Sequence, residues 1–133
     1  MDYDYKTIEF TKVSLLTNHA LAVTKSGELY GWGSNVNGKL GLSLENVMAM
    51  KPTPVSYFND KSKFRVLDVA CGDEHSFVHV EEFDDLGNSC GFRLYQLGYN
   101  PDEPEHNYRG ATKEELETSN GITRLSKYDN LSI

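Results

Sequence analysis

The stretch Leu29-Tyr30-Gly31-Trp32-Gly33-Ser34-Asn35 recurs, altered, as Leu94-Tyr95-Gln96-Leu97-Gly98-Tyr99-Asn100, 65 positions further on. Upstream of it the offset is 56: Val13 and His19 fall on Val69 and His75, and Ile8 and Phe10 on Phe64 and Val66. One unit is therefore used twice, and the second copy carries nine extra residues between its histidine and its Leu-Tyr pair. A long internal period of this kind is the mark of a repeat architecture.

Within each copy the local signals are strand, turn, strand. Ala20 to Val23 is followed by Lys25-Ser26-Gly27 and then by the Leu29 run; Val66, Val69 and Cys71 lead through Gly72-Asp73-Glu74 to Phe77, Val78 and Val80. These are short β runs joined by tight turns. The extra residues lie within 82–92, where Asp84, Asp85, Gly87, Asn88 and Gly91 have turn chemistry, so a lengthened hairpin tip is expected there rather than core strand. No stretch keeps a 3.6-residue apolar period over three turns, although Thr112 to Glu117 has room for one exposed helical turn. About four short strands per repeat suit a propeller blade, a sheet that must stack on neighbours to cover its faces. The expected fold is all-β: two consecutive four-stranded antiparallel blades of a β-propeller, forming an incomplete arc. The first repeat spans about 1–63 and the second about 64–133, with the lengthened hairpin at 82–92 and a divergent loop at 101–121.

Composition narrows the function. The 133 residues are 38% hydrophobic with a net charge of -7, and no apolar run approaches the roughly 20 residues of a spanning helix. The start, Met1-Asp2-Tyr3-Asp4-Tyr5, is unlike a secretory signal, and two cysteines make no disulfide framework, so an intracellular setting, cytoplasmic or nuclear, is expected. Residues 73–117 hold 12 acidic against three basic side chains. The one basic cluster, Lys61, Lys63 and Arg65, is short and flanked by Asp60 and Asp68, which argues against nucleic acid as a ligand. Either the acidic stretch is a solvated loop surface or it docks a basic protein.

Signs of catalysis are missing. Cys71, Glu74, His75 and His79 have the composition of a zinc set, but alternation along strands separates them, and no second cysteine pair stands at ligand spacing. Nothing marks Cys71 as an activated thiolate, and it reads as a small core residue. The glycines around Trp32 precede no helix, so they are no phosphate cradle. The expectation is a non-enzyme with no cofactor and no metal.

The run from His19 through Gly27 to Asn35, then Asn37-Gly38-Lys39-Leu40-Gly41, Pro54-Val55, Val69 and Gly72-Asp73-Glu74-His75-Ser76, resembles the repeat of the regulator of chromosome condensation family. The resemblance implies blades of a seven-bladed β-propeller. In the second copy Leu97 replaces the tryptophan and the Gly-x-Leu-Gly is absent; at the start of the first, Leu16 replaces the usual glycine, so a distorted turn is expected. Ile122 to Ile133 resembles the strand feeding a third repeat.

The signature residues His19, Trp32, Gly33, Asn35, Gly38, Leu40, Gly41, Gly72, His75 and Gly98 are read as structural. Gly33, Gly38, Gly41 and Gly72 would provide positive φ or close backbone approach. Trp32 would supply the largest apolar contact between blades. His19 and His75 would hydrogen-bond the backbone of a neighbouring loop and so pin each blade. The family resemblance implies a protein-interaction module, with guanine-nucleotide exchange on the small GTPase Ran as the alternative. Candidate partner-binding residues are Asp73 and Glu74, at positions implied by the namesake's Ran-facing turns, and Asp84, Asp85, Asp102, Glu103 and Glu105 in acidic loops. The expected partner is a basic protein or a small GTPase, neither nucleic acid nor membrane. Two blades in a closed ring of at least four imply a fragment, completed by further blades from the parent chain or by another copy.

Overall fold

A computed structural model describes residues 8–100, 102, 107 and 119–130. The first four strands, β1 (Phe10–Leu16), β2 (His19–Thr24), β3 (Leu29–Ser34) and β4 (Met48–Pro54), form one antiparallel sheet in chain order. A second sheet repeats the order with β5 (Phe64–Cys71), β6 (Ser76–Phe83), β7 (Ser89–Leu97) and β8 (Ile122–Arg124). Short 3-10 turns, Ser56–Phe58 after β4 and Ser126–Tyr128 after β8, close the two units alike.

The repeat extends to irregularities. Pairing slips between Phe10 and Lys12 in β1 and between Val66 and Asp68 in β5, the same bulge 56 residues on. Bulges increase local twist, and both sheets carry this one in their first strand.

Side chains that alternate along the strands cover one face of each sheet. Leu21, Val23 and Leu29 of the first sheet meet Val66, Val78, Val80, Tyr95 and Leu97 of the second, with Leu40, Val55 and Phe58 filling the gap. Phe58 is the largest fully buried side chain, in edge-on contact with Tyr57, Phe64 and Tyr95. Backbone and side-chain bonds join the sheets along this seam: the Val66 N–H donates to the Gly27 carbonyl, and the Cys71 N–H to Ser14 Oγ.

Two expectations, for Trp32 and for Ile122–Arg124, are corrected, and two, for Gly72 and for 82–92, are narrowed. Trp32 is only half-buried and lies outside the core; it packs on Phe10, on the face turned away from the second sheet. Its counterpart Leu97 is fully buried because that equivalent face does meet a blade. Gly72 lacks a positive φ; a Cβ there would lie 3.1 Å from the His75 carbonyl oxygen, so only the close approach holds. The segment 82–92 is mostly paired ribbon, since β6 runs to Phe83, β7 starts at Ser89 and the turn between them is short. Ile122–Arg124 closes the second sheet against β7 instead of feeding a third. The distorted first turn is present, with Thr17 at φ 48. Thr112 to Glu117 and most of 101–121 lie outside the described residues.

Candidate functional site

In each antiparallel sheet the connections alternate between two rims. One rim collects the turn before His19, the connection after β3, the turn before His75 and the start of the connection after β7. The other collects the turn after Thr24, the connection from β4 to β5, and the hairpin Asp84–Asn88.

The first rim is locked by a polar chain across the blade seam. Ser76 Oγ donates to the Lys39 carbonyl at 2.7 Å and lies 2.9 Å from His19 Nε2. Because the hydroxyl has one proton and gives it to Lys39, His19 Nε2 is the donor in the second bond, which fixes the neutral Nε2–H tautomer. His19 Nδ1 is buried with no partner. Burial, then the charge of Lys39, holds this imidazole below its usual range, against an opposing pull from Asp73. The expectation that His19 bonds the backbone of a neighbouring loop is corrected: its ring meets the Ser76 hydroxyl, and it is that serine which bonds the Lys39 carbonyl. The same chain buries Lys39, whose ammonium donates to Asn18 Oδ1 at 3.0 Å.

Asn35 shapes the loop that follows β3. Its Nδ2 donates towards the carbonyls of Leu42, Ser43 and Asn46, and its Oδ1 accepts from the Leu40 N–H. Leu40 is thereby directed into the core. Gly33 (φ 91) is obligatory, since a Cβ would fall 2.3 Å from the Asn18 carbonyl oxygen; Gly98 (φ 104) repeats the device against the Glu74 carbonyl oxygen at 2.8 Å. Gly38 and Gly41 also have positive φ. Asn100, the counterpart of Asn35, instead exchanges backbone and side-chain bonds with Asn107, a buried polar residue that no sequence signal marked.

The candidate partner-binding residues are divided between the rims. Asp73, Glu74 and Asp102 are exposed on the first rim, and Glu45, overlooked in the sequence, is exposed there too. With Lys39 buried, every exposed charged side chain of this rim among the described residues is acidic. Asp84 and Asp85 are exposed on the second rim, where they share a cleft with Lys61 and Lys63. Lys61 in turn lies 3.4 Å from Glu28. That rim is of mixed charge. Glu103 and Glu105 lie outside the described residues.

Among the described residues no group of three His, Cys, Asp or Glu side chains could hold a metal ion. Cys71 donates from Sγ to the Ser14 carbonyl, and burial pushes its thiol up, the opposite of an activated nucleophile. His75 is held low by burial, and its Nε2 has no partner.

Two twisted four-stranded antiparallel sheets, stacked face to face and joined across the seam by His19 and Ser76, define a pair of β-propeller blades. Comparison with known proteins agrees. The profile of the regulator of chromosome condensation (RCC1) repeat matches residues 26–79, and a second profile of the same repeat matches 11–39. The chain belongs to the RCC1 repeat family. It is 34% identical to the ultraviolet-B receptor UVR8 of Arabidopsis thaliana over 68% of this chain and 20% of that protein. It is 36% identical to the probable E3 ubiquitin-protein ligase HERC6 of Homo sapiens over 62% of this chain and 8% of that protein, and 34% identical to the protein RCC2 homolog of Xenopus laevis over 64% and 16%. The chain thus spans a fifth or less of these relatives. Among solved structures, human WBSCR16 superposes with a TM-score of 0.52 at 20% identity, covering 88% of this chain and 30% of that one. Prp20p of Saccharomyces cerevisiae gives 0.51 at 18%, covering 76% and 22%. At these identities the superpositions speak for the fold alone.

Proposed function

We propose that the chain is a protein-binding module, rather than an enzyme, and that the rim bearing Glu45, Asp73, Glu74 and Asp102 receives a basic partner. One observation carries this reading: among the described residues the exposed charge on that rim is of one sign, because the one lysine described there, Lys39, is turned inward. Fields of one sign steer an oppositely charged partner, whereas the mixed charges of the opposite rim cancel within a few ångströms. The acidic hairpin Asp84–Asn88 is therefore the weaker candidate.

Guanine-nucleotide exchange stands as the second reading. It is favoured by the exposure of Asp73 and Glu74 and by the fold shared with Prp20p, a protein described by its binding properties to Gsp1p and histones. No helix among the described residues is long and apolar enough to cross a membrane. A site in the cytoplasm or nucleus fits the two free cysteines.

The test compares charge reversal on the two rims. Asp73→Lys with Glu74→Lys should weaken binding of a lysine- and arginine-rich peptide about tenfold or more at low salt, and Asp84→Lys with Asp85→Lys by much less. Equal losses, or binding indifferent to salt, would reject the rim assignment. Accelerated release of a fluorescent guanine nucleotide from Ran would promote the exchange reading.

A further inference from the structure

Two asparagines of the chain precede glycine, Asn37 and Asn120, and the fold brings both steps to the first rim, one after β3 and one before β8. Both asparagines are in the left-handed region, at φ 54 and 55, and both following glycines are at φ 77. The two turns interlock between the blades. A Cβ on Gly38 would lie 2.6 Å from the Asn120 carbonyl oxygen, and one on Gly121 would lie 3.3 Å from that of Asn37. Alike in sequence, the steps differ in what holds their peptide planes. The plane between Asn37 and Gly38 is tied at both ends: its carbonyl accepts from the Tyr99 N–H at 3.2 Å, and its N–H donates to the Asn35 carbonyl at 3.0 Å. Among the described residues, the plane between Asn120 and Gly121 has a hydrogen bond at neither end.

An asparagine before glycine loses its side-chain amide without an enzyme, because no Cβ hinders the glycine nitrogen. That nitrogen attacks Asn Cγ, the Cγ–Nδ2 bond breaks, and ammonia leaves with the proton the nitrogen gives up. Water then opens the cyclic imide. Opening at the side-chain carbonyl leaves aspartate; opening at the main-chain carbonyl leaves isoaspartate, whose backbone is longer by a carbon. The attack requires the peptide plane to swing out of the left-handed turn, and a plane that must first break hydrogen bonds does so less often. We propose that Asn120 is a site of self-modification: in the folded protein it converts to aspartate and isoaspartate, while Asn37 is protected. Conversion adds a negative charge to a rim whose exposed charges among the described residues are already acidic. Isoaspartate also lengthens the chain beside Gly121, whose carbonyl accepts the Gly98 N–H at 2.9 Å, so it disturbs both that bond and the interlock with Gly38.

The test follows the full chain at mildly alkaline pH by peptide mapping and mass spectrometry. In the folded protein Asn120 should convert about tenfold faster than Asn37 or more, the effect of two hydrogen bonds that must break first. In concentrated urea, where neither plane is held, the two rates should converge. Equal rates in the folded chain, faster conversion at Asn37, or a disparity that persists in urea would overturn the proposal. This comparison uses the unaltered chain and needs no variant to fold. The isoaspartate form should also unfold at a lower urea concentration than Asn120→Asp, which carries the charge without the longer backbone. Equal midpoints would overturn the link between Asn120 and the interlock. Neither readout involves a binding partner, so failure here is separable from failure of the basic-partner reading.

Discussion

At the residue scale the informative group is the chain His19, Ser76, Lys39. Ser76→Ala removes the acceptor of a buried N–H and frees a buried carbonyl, so it should destabilise by about 1 to 3 kcal/mol in urea titration. A neutral change would mean that the seam is held by apolar contact alone. The same histidine makes stability depend on pH. Protonation would place a proton on Nδ1, which is buried without an acceptor, beside the cationic Lys39. Its folded-state affinity for protons is thus below that of the unfolded chain, so the unfolded state takes up more protons on acidification. Stability should be full above pH 6.5 and fall as the pH drops below it, with His75 contributing in the same direction. Replacing both histidines by glutamine should flatten the urea midpoint across this range; an unchanged slope would place the titrating group elsewhere.

Strand contents explain where the core lies at the element scale. Phe58 is completely buried between the sheets, Trp32 is half-buried on an unmatched face, and Phe92 is 36% exposed beside the long hairpin. Phe58→Ala should therefore cost about 3 to 5 kcal/mol, Trp32→Ala distinctly less, and Phe92→Ala least. A larger loss for Trp32 than for Phe58 would show that its face is covered in solution. The strands themselves were legible, because alternation and turn residues are local properties: Gly33, Gly38 and Gly41 are at positive φ as their place in tight turns requires. Burial of Trp32 was not legible, since the sequence of a residue does not say whether a neighbouring sheet stands over it. The paired length of β6 and β7 escaped for a related reason: turn-forming residues such as Asn88 and Gly91 do not prevent a ribbon from pairing beside them.

For the whole molecule, the stacking of two sheets on one seam leaves apolar side chains in water on the outermost strands. Val13 and Leu15 of β1 and Met48 and Met50 of β4 are exposed, Met50 by 84%. Apolar side chains exposed on the open edges of a sheet promote association. The chain at micromolar concentration should sediment as a concentration-dependent mixture, and a strict monomer with one cooperative melt would show these surfaces to be inert. The division of the acidic stretch between two rims is also a property of the whole. Residues 73–117 are one run along the chain, but each strand carries the backbone to the opposite rim, so Asp73 and Asp84 cannot serve one flat partner surface.

What the sequence determined by itself was the repeat, and with it the blade: the offset of 56, the Trp-Gly and Gly-x-Leu-Gly runs, and the period of two within strands are all written in adjacent residues. Tertiary structure alone decided which partners the signature residues have. The bond from His19 to Ser76 joins positions 57 apart, Asn35 gathers carbonyls from a loop, and Lys39 is buried against Asn18. Local pattern fixes where a strand begins and which way its side chains point; stacking of one sheet on another fixes what those side chains meet. The exposed charge of the first rim follows from that second step: among the described residues it is acidic throughout because folding turns Lys39 inward.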